Sequence, residues 1–162
     1  GQELEADVIV SATGLVLKFL GGMEIAVDGQ PVDLSKCLTY KGMMYSDVPN
    51  LASAFGYTNA SWTLKCDLTC EYVCRLLNHM DQHGYVQSTP RVREGQVEVE
   101  PWLDFSSGYV QRSIQAFPKQ GVKAPWKLHQ NYALDLMNLR FASVVDEVME
   151  FKKASEQPRK AA

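Results

Sequence analysis

The sequence predicts an α/β fold with an incomplete sheet and one long buried helix. Three observations predict it. A continuous apolar run, Val8-Ile9-Val10, stops at the small residues Ser11-Ala12-Thr13-Gly14, as expected of a parallel strand covered on both faces. Short apolar segments on either side of Asp28-Gly29, and again after Pro49-Asn50, read as extended pieces separated by turns. Between residues 61 and 83, Leu64, Leu68, Tyr72, Leu76 and Met80 recur at every fourth position, joined by Val73 and Leu77. Asp67, Glu71, Arg75, Asn78 and Gln82 fall on the opposite side, which is the pattern of an amphipathic helix.

Taken in order, residues 7–14 form the buried strand, and Gly14 allows a sharp exit. Asp28-Gly29 between Glu24-Ile25-Ala26-Val27 and Pro31-Val32-Asp33-Leu34 predicts a hairpin. Residues 38–45 read as extended, and residues 51–56 as a short buried strand ending at Gly56. Asn59 or Ser61 caps the helix start and Gly84 ends it. Residues 90–100 read as a long loop with a weak strand at Val97 and Val99. Trp102, Phe105, Tyr109, Phe117 and Trp126, broken by prolines and glycines, read as an extended aromatic wrap. From Tyr132, the residues Leu134, Met137, Phe141, Val144, Val145 and Val148 fit a second amphipathic helix. Residues 156–162 read as a frayed tail. A lone parallel-type strand needs neighbours that this chain scarcely supplies, so further sequence is expected to complete the sheet.

Composition narrows the function classes. The 162 residues allow one domain or parts of two. At 46% apolar and 22% charged, wholesale disorder, collagen and coiled coil are excluded. A net charge of −3 argues against nucleic acid as a partner. No apolar run reaches the ~18 residues of a membrane span. The start is acidic, has no basic leader region and lacks Met, so a processed or excised piece is expected. Four cysteines without an export signal predict reduced thiols and a cytoplasmic location, with peripheral membrane association left open.

Several constellations have a plain structural reading. Cys66, Cys70 and Cys74 lie one turn apart on the helix. They read as small apolar residues bordering its buried stripe rather than as zinc ligands, because structural zinc draws four ligands from two elements. His79 and His83 read as a solvated pair at a helix C-terminus, and His129 as a loop histidine. No catalytic residue is assigned: there is no Gly-x-Ser-x-Gly, no phosphate-binding Gly-x-x-x-x-Gly-Lys-Ser/Thr and no Gly-x-Gly-x-x-Gly. The strongest ligand candidate is Gly56-Tyr57-Thr58-Asn59-Ala60-Ser61-Trp62-Thr63-Leu64, which joins a strand end to the long helix. Free backbone N–H groups and the positive helix end suit a polar or anionic ligand edge; a capped helix start with a surface aromatic is the plain alternative.

Asp7-Val8-Ile9-Val10-Ser11-Ala12-Thr13-Gly14-Leu15 resembles the Ala-Thr-Gly segment of class B flavoprotein monooxygenases, the flavin-containing and Baeyer–Villiger enzymes. Tyr40-Lys41-Gly42-Met43-Met44, Val48-Pro49-Asn50-Leu51 and the Gly56–Leu64 stretch follow in that family's order. Gly108-Tyr109-Val110, Phe117-Pro118-Lys119-Gln120-Gly121 and Pro125-Trp126-Lys127-Leu128 resemble its bacterial ethionamide-activating branch. The resemblance implies the C-terminal part of a Rossmann-like flavoprotein with two dinucleotide-binding domains, using FAD and NADPH. Residues 1–14 would be the last strand or hinge of the NADPH domain, 15–100 the returning half of the FAD domain, and 101–162 the wrap and C-terminal helix. It implies oxygenation of ketones, sulfides or thioamides by O₂ through a flavin C4a-peroxide. The implied cofactor-binding residues are Ala12, Thr13 and Gly14, then Gly56, Tyr57, Thr58, Asn59, Ser61, Trp62, Thr63 and Leu64, the latter group beside the flavin ring. The glycine-rich phosphate loops of that family are not in this sequence, so the chain alone is expected to be inactive, with the missing N-terminal half as its partner. A non-catalytic interaction module reusing half of the fold is the competing reading.

Overall fold

The computed structural model describes residues 1–93, 95, 97–102 and 107–154. The Asp-Gly signal forms the expected hairpin: β1 (Ile25–Val27) pairs antiparallel with β2 (Gln30–Val32). Asp28 and Gly29 both take positive φ, 51° and 79°, the backbone that a two-residue hairpin turn requires. A second hairpin joins β3 (Thr39–Tyr40) to β4 (Met44–Tyr45) through Lys41 and Gly42, again both at positive φ. Gly42 is also held by space, since a Cβ there would stand 2.5 Å from Leu128 Cδ1.

Helix α1 (Trp62–His83) is the longest element, at 22 residues. Its predicted stripe is buried at Leu68, Tyr72, Leu76 and Met80, while Leu64 and Leu77 lie exposed. Gly84 ends it in the left-handed conformation, and its N–H donates to the carbonyls of Met80 and Asp81. The chain then enters β5 (Tyr85–Pro90), which pairs antiparallel with the last strand, and later β6 (Val99–Pro101), helix α2 (Gly108–Ser113) and β7 (Lys119–Gly121), the partner of β6. One α-turn, α3 (Tyr132–Asp135), continues as a π-helical stretch, Leu136–Phe141, and β8 (Met149–Lys153) closes against β5.

The main core lies between α1 and the β3–β4 hairpin, with Tyr40, Met43, Met44, Trp126, Leu139 and Met149 packed around the helix stripe. A second, aromatic cluster unites Trp102 and Phe117 with Phe19 and Phe55. Trp102 meets Phe19 edge-on at 5.1 Å and Phe55 at 4.5 Å between ring centroids. A third cluster gathers Cys37, Tyr45 and Val48 under the first hairpin.

The described residues depart from expectation in several places, among them the stretch read as an extended aromatic wrap, where Trp102, Phe117 and Trp126 are buried in the core and Gly108–Ser113 is helical. Residues 7–14 form no strand: Val8, Ile9 and Val10 are 78%, 85% and 86% exposed, because no strand among the described residues lies beside them. Residues 51–56 are irregular apart from one bridge between Met44 and Ala52. The second amphipathic helix stops at Phe141, and its predicted apolar side faces outward, with Leu134, Met137 and Phe141 exposed. Asp135 and Leu139 turn inward instead, since a buried cation on α1 waits for the Asp135 carboxylate. Finally, the sheets are all antiparallel pairs of two strands among the described residues, not an open parallel sheet. Phe105 and the tail at 156–162 lie outside the described residues.

Candidate functional site at the start of the long helix

The predicted ligand stretch is presented at the surface, not sealed in the core. Gly56 and Tyr57 are buried, and residues 58–64 are exposed. The entry is tight: a Cβ on Gly56 would stand 2.5 Å from Trp62 Cα, so only glycine lets the chain fold back onto the first residue of α1. Ser61 occupies the cap position in extended backbone, yet its side chain caps no N–H. Its hydroxyl instead pairs with Thr63 Oγ1 at 2.8 Å. The first N–H groups of α1 therefore keep their donor capacity without a side-chain acceptor.

Beside this helix start runs a groove of about 500 Å³. Leu17, Phe19, Phe55, Trp62, Tyr109 and Phe117 give it apolar and aromatic walls, Thr58 adds a hydroxyl, and Lys18 is its one charged lining residue. Trp62, half exposed, is braced by Phe55 at 4.8 Å between centroids. The Ala12-Thr13-Gly14 segment is exposed, and its end reaches the same neighbourhood. Arg112 Nη2 donates to the Thr13 carbonyl at 3.3 Å, Gly14 turns at φ +88° against Arg112 and Tyr109, and the Leu17 N–H donates to Ser113 Oγ at 3.1 Å. Helix α2 thus links Thr13 and Gly14 to the groove wall.

The rear of the loop is held by residues that periodicity did not single out. Tyr57 Oη donates to Asp135 Oδ2 at 2.7 Å, and Lys65 Nζ donates to the same oxygen at 2.6 Å. Lys65 is 1% and Asp135 3% exposed. Lys65 Nζ also reaches the His129 carbonyl at 3.4 Å. Burial lowers the Lys65 pKa, against the opposing pull of the Asp135 carboxylate, and burial, helped by the hydrogen bond to Asp135, raises that of the Tyr57 phenol. One turn earlier, Gln130 Oε1 accepts from the Thr58 N–H at 3.0 Å and from Thr58 Oγ1 at 3.1 Å, and its carbonyl accepts from Asn59 Nδ2. Lys65 follows Leu64, the first residue of the apolar stripe, as a charge at the start of the helix. Asp135 and Gln130 carried no local signal, because their partners lie about seventy residues away.

The remaining candidates separate from this site. Cys66 is half-buried at the edge of the helix stripe, and Cys70 and Cys74 lie exposed beyond it. No group of three or more His, Cys, Asp or Glu among the described residues is arranged to hold a metal ion. His79 and His83 lie 4.2 Å apart between ring centroids, and His83 stacks on Tyr85 at the far end of α1. The His129 ring lines a separate cavity of about 200 Å³ with Lys41 and Asp135. No helix among the described residues is long and apolar enough to cross a membrane.

No protein-family model and no solved structure matches the chain. The FAD-containing monooxygenase EthA of Mycolicibacterium smegmatis is 48% identical over 153 residues, 94% of this chain and 31% of the relative. Over nearly its whole length the chain is similar to the FAD-containing monooxygenases. The probable FAD-binding monooxygenase AlmA of Acinetobacter sp is 46% identical over 158 residues, and the putative FAD-containing monooxygenase MymA of Mycobacterium tuberculosis is 44% identical over 157. The chain spans about a third of the length of these FAD-containing or FAD-binding relatives, 31–32% in each case.

Proposed function

We propose that this chain is the C-terminal portion of an FAD- and NADPH-dependent monooxygenase, and that residues 56–64 with the start of α1 support the flavin ring. The observation that carries the reading is the 44–48% identity to FAD-containing and FAD-binding monooxygenases along 94–97% of the chain. The donor set fits one part of that cofactor. A reduced flavin gathers negative charge along the pyrimidine edge of its ring, and an uncapped N-terminus of a 22-residue helix offers N–H donors and a positive dipole end to such an edge. Trp62 and Phe55 offer an apolar wall for the ring or for an organic substrate. The chain has no glycine-rich cradle for the pyrophosphate, so that grip belongs to the remaining two-thirds of the relatives' length.

When bound, the flavin supplies hydride acceptance and oxygen activation. The residues of this chain position and shield it. The Thr58, Ser61 and Thr63 hydroxyls and the first amides of α1 orient the ring edge, and the groove walls keep water from its face. In this reading the loop gives electrostatic and positional support rather than an acid or base. Thr13 and Gly14, held on α2, adjoin the same wall and form the approach from the NADPH-binding part. The substrates in this reading are ketones, sulfides or thioamides together with O₂, and the setting is a reducing cytoplasm.

The test is a visible spectrum and oxygen-electrode assay on the chain alone and on the full-length protein. The full-length protein is expected to carry FAD and to consume O₂ on addition of NADPH and a sulfide or ketone; the chain alone is expected to do neither. A full-length protein that folds, holds FAD and shows no NADPH-dependent uptake overturns the reading.

A further inference from the structure

Resting on the flavin-support reading of the helix start, we propose that Asp135 is a positioning residue that staples both ends of the ligand loop through a single carboxylate oxygen. Oδ2 accepts from Tyr57 Oη at 2.7 Å and from Lys65 Nζ at 2.6 Å. Those two residues bracket the exposed stretch 58–64: Tyr57 is the last buried residue before it and Lys65 the first buried residue after it. The cation also lies over the Tyr57 ring, 5.3 Å from its centroid, so the three groups form one closed unit. The exposed stretch 58–64 thus runs between two fixed posts. Gln130 adds a second, independent fastening at Thr58 and Asn59.

The economics of burial favour position over stability as the reason for this arrangement. An ammonium and a carboxylate that are 1% and 3% exposed have given up water on both sides. A well-packed apolar pair of similar volume serves the fold about as well, whereas leaving one partner unpaired does harm. What an apolar pair cannot do is fix the phenol of Tyr57 and the first turn of α1 to one point. Preorganising a loop in its bound form lowers the ordering cost of binding. The helix amides would then stand in place before any ring arrives.

The experiment compares wild type with the double variant Lys65→Met/Asp135→Leu, which removes both charges together, and with Tyr57→Phe, which cuts one arm and keeps the ion pair. Backbone ¹⁵N relaxation on the 162-residue chain reads the loop without any cofactor. FAD titration of the full-length protein reads the consequence. In the double variant, thermal unfolding is expected to remain cooperative. Order parameters at residues 58–64 are expected to fall from the rigid range near 0.85 toward the flexible range below about 0.6. The Kd for FAD is expected to rise about tenfold, with Tyr57→Phe intermediate. Unchanged loop order parameters in a folded double variant overturn the staple. If the double variant does not fold, unchanged order parameters in Tyr57→Phe overturn it. A wild-type full-length protein that binds no FAD overturns the flavin-support reading instead, and the relaxation data still decide the staple.

Discussion

Tyr40 and Tyr72 join hydroxyls at 2.9 Å in the middle of the main core, and Tyr40 Oη is 2.7 Å from Asp146 Oδ2. Both rings are 0% exposed, and they meet edge-on at 6.5 Å between centroids. This chain of three polar groups ties the β3–β4 hairpin, the middle of α1 and the approach to β8 to one another. Tyr40→Phe keeps the ring and removes the link that satisfies the other two. It is expected to lower stability by ~1–3 kcal/mol, read from the midpoint of urea unfolding at constant slope.

Gly56 is the sharpest steric constraint at the candidate site. A Cβ there meets the Trp62 backbone and ring at about 2.5 Å, and neither is the loose end of a flexible side chain. Gly56→Val is expected to cost ~1–3 kcal/mol in the chain. In the full-length protein it is expected to lower flavin content per polypeptide. Wild-type flavin content in this variant would remove Gly56 from the site.

The inverted faces of the segment after Tyr132 give a paired test. Leu139 is 1% exposed and Met137 is 61% exposed. Leu139→Ala is expected to cost ~2–5 kcal/mol by leaving a cavity, whereas Met137→Ala should stay within ~0.5 kcal/mol. The opposite order in urea titrations would mean that the helix is rotated from the orientation described above.

Acid sensitivity has a defined contributor at the β5–β8 edge. Arg91 engages Glu150 at 3.2 Å and Asp47 at 3.0 Å, and the hydrogen bonds from Arg91 hold the Glu150 carboxyl below its ordinary value of 4.5. A carboxylate with a lowered folded-state pKa stabilises fully above its ordinary value and loses that contribution as pH falls through the lower one. The pair is partly exposed, so the effect stays below ~1 kcal/mol. The gap in Tm between wild type and Glu150→Gln is expected to be present at pH 7 and to shrink toward zero near pH 3. A gap that grows on acidification would reverse the sign.

The sequence made local features legible and left distant pairings dark. Asp28-Gly29 specified its own hairpin because positive φ is a property of two adjacent residues. The stripe from Leu68 to Met80 specified α1 because a helix repeats itself every turn, and Gly84 marked its end. Residues 56–64 stood out because a glycine, a run of small polar residues and a helix start coincide there. The run Val8-Ile9-Val10 looks internal on hydrophobicity alone, yet burial needs a partner, and none among the described residues covers it. The face of residues 132–141 was misread because apolar spacing outvoted a single aspartate. The decisive fact was Lys65, seventy residues away, whose ammonium had no other carboxylate in reach of 4 Å among the described residues.

That every sheet among the described residues is only two strands wide bears on where the molecule is hardest to open. Beyond these pairs the ladder continues only in isolated bridges, such as Met44 to Ala52 and Leu38 to Lys119, so the strand amides fray together with the loops beside them. Helix α1 carries its own ladder and buries Leu68, Tyr72 and Leu76 against the main core. In deuterated water, the amide protons from Leu68 to Leu76 are expected to be the last to exchange, persisting long after those of β5 and β8 have gone.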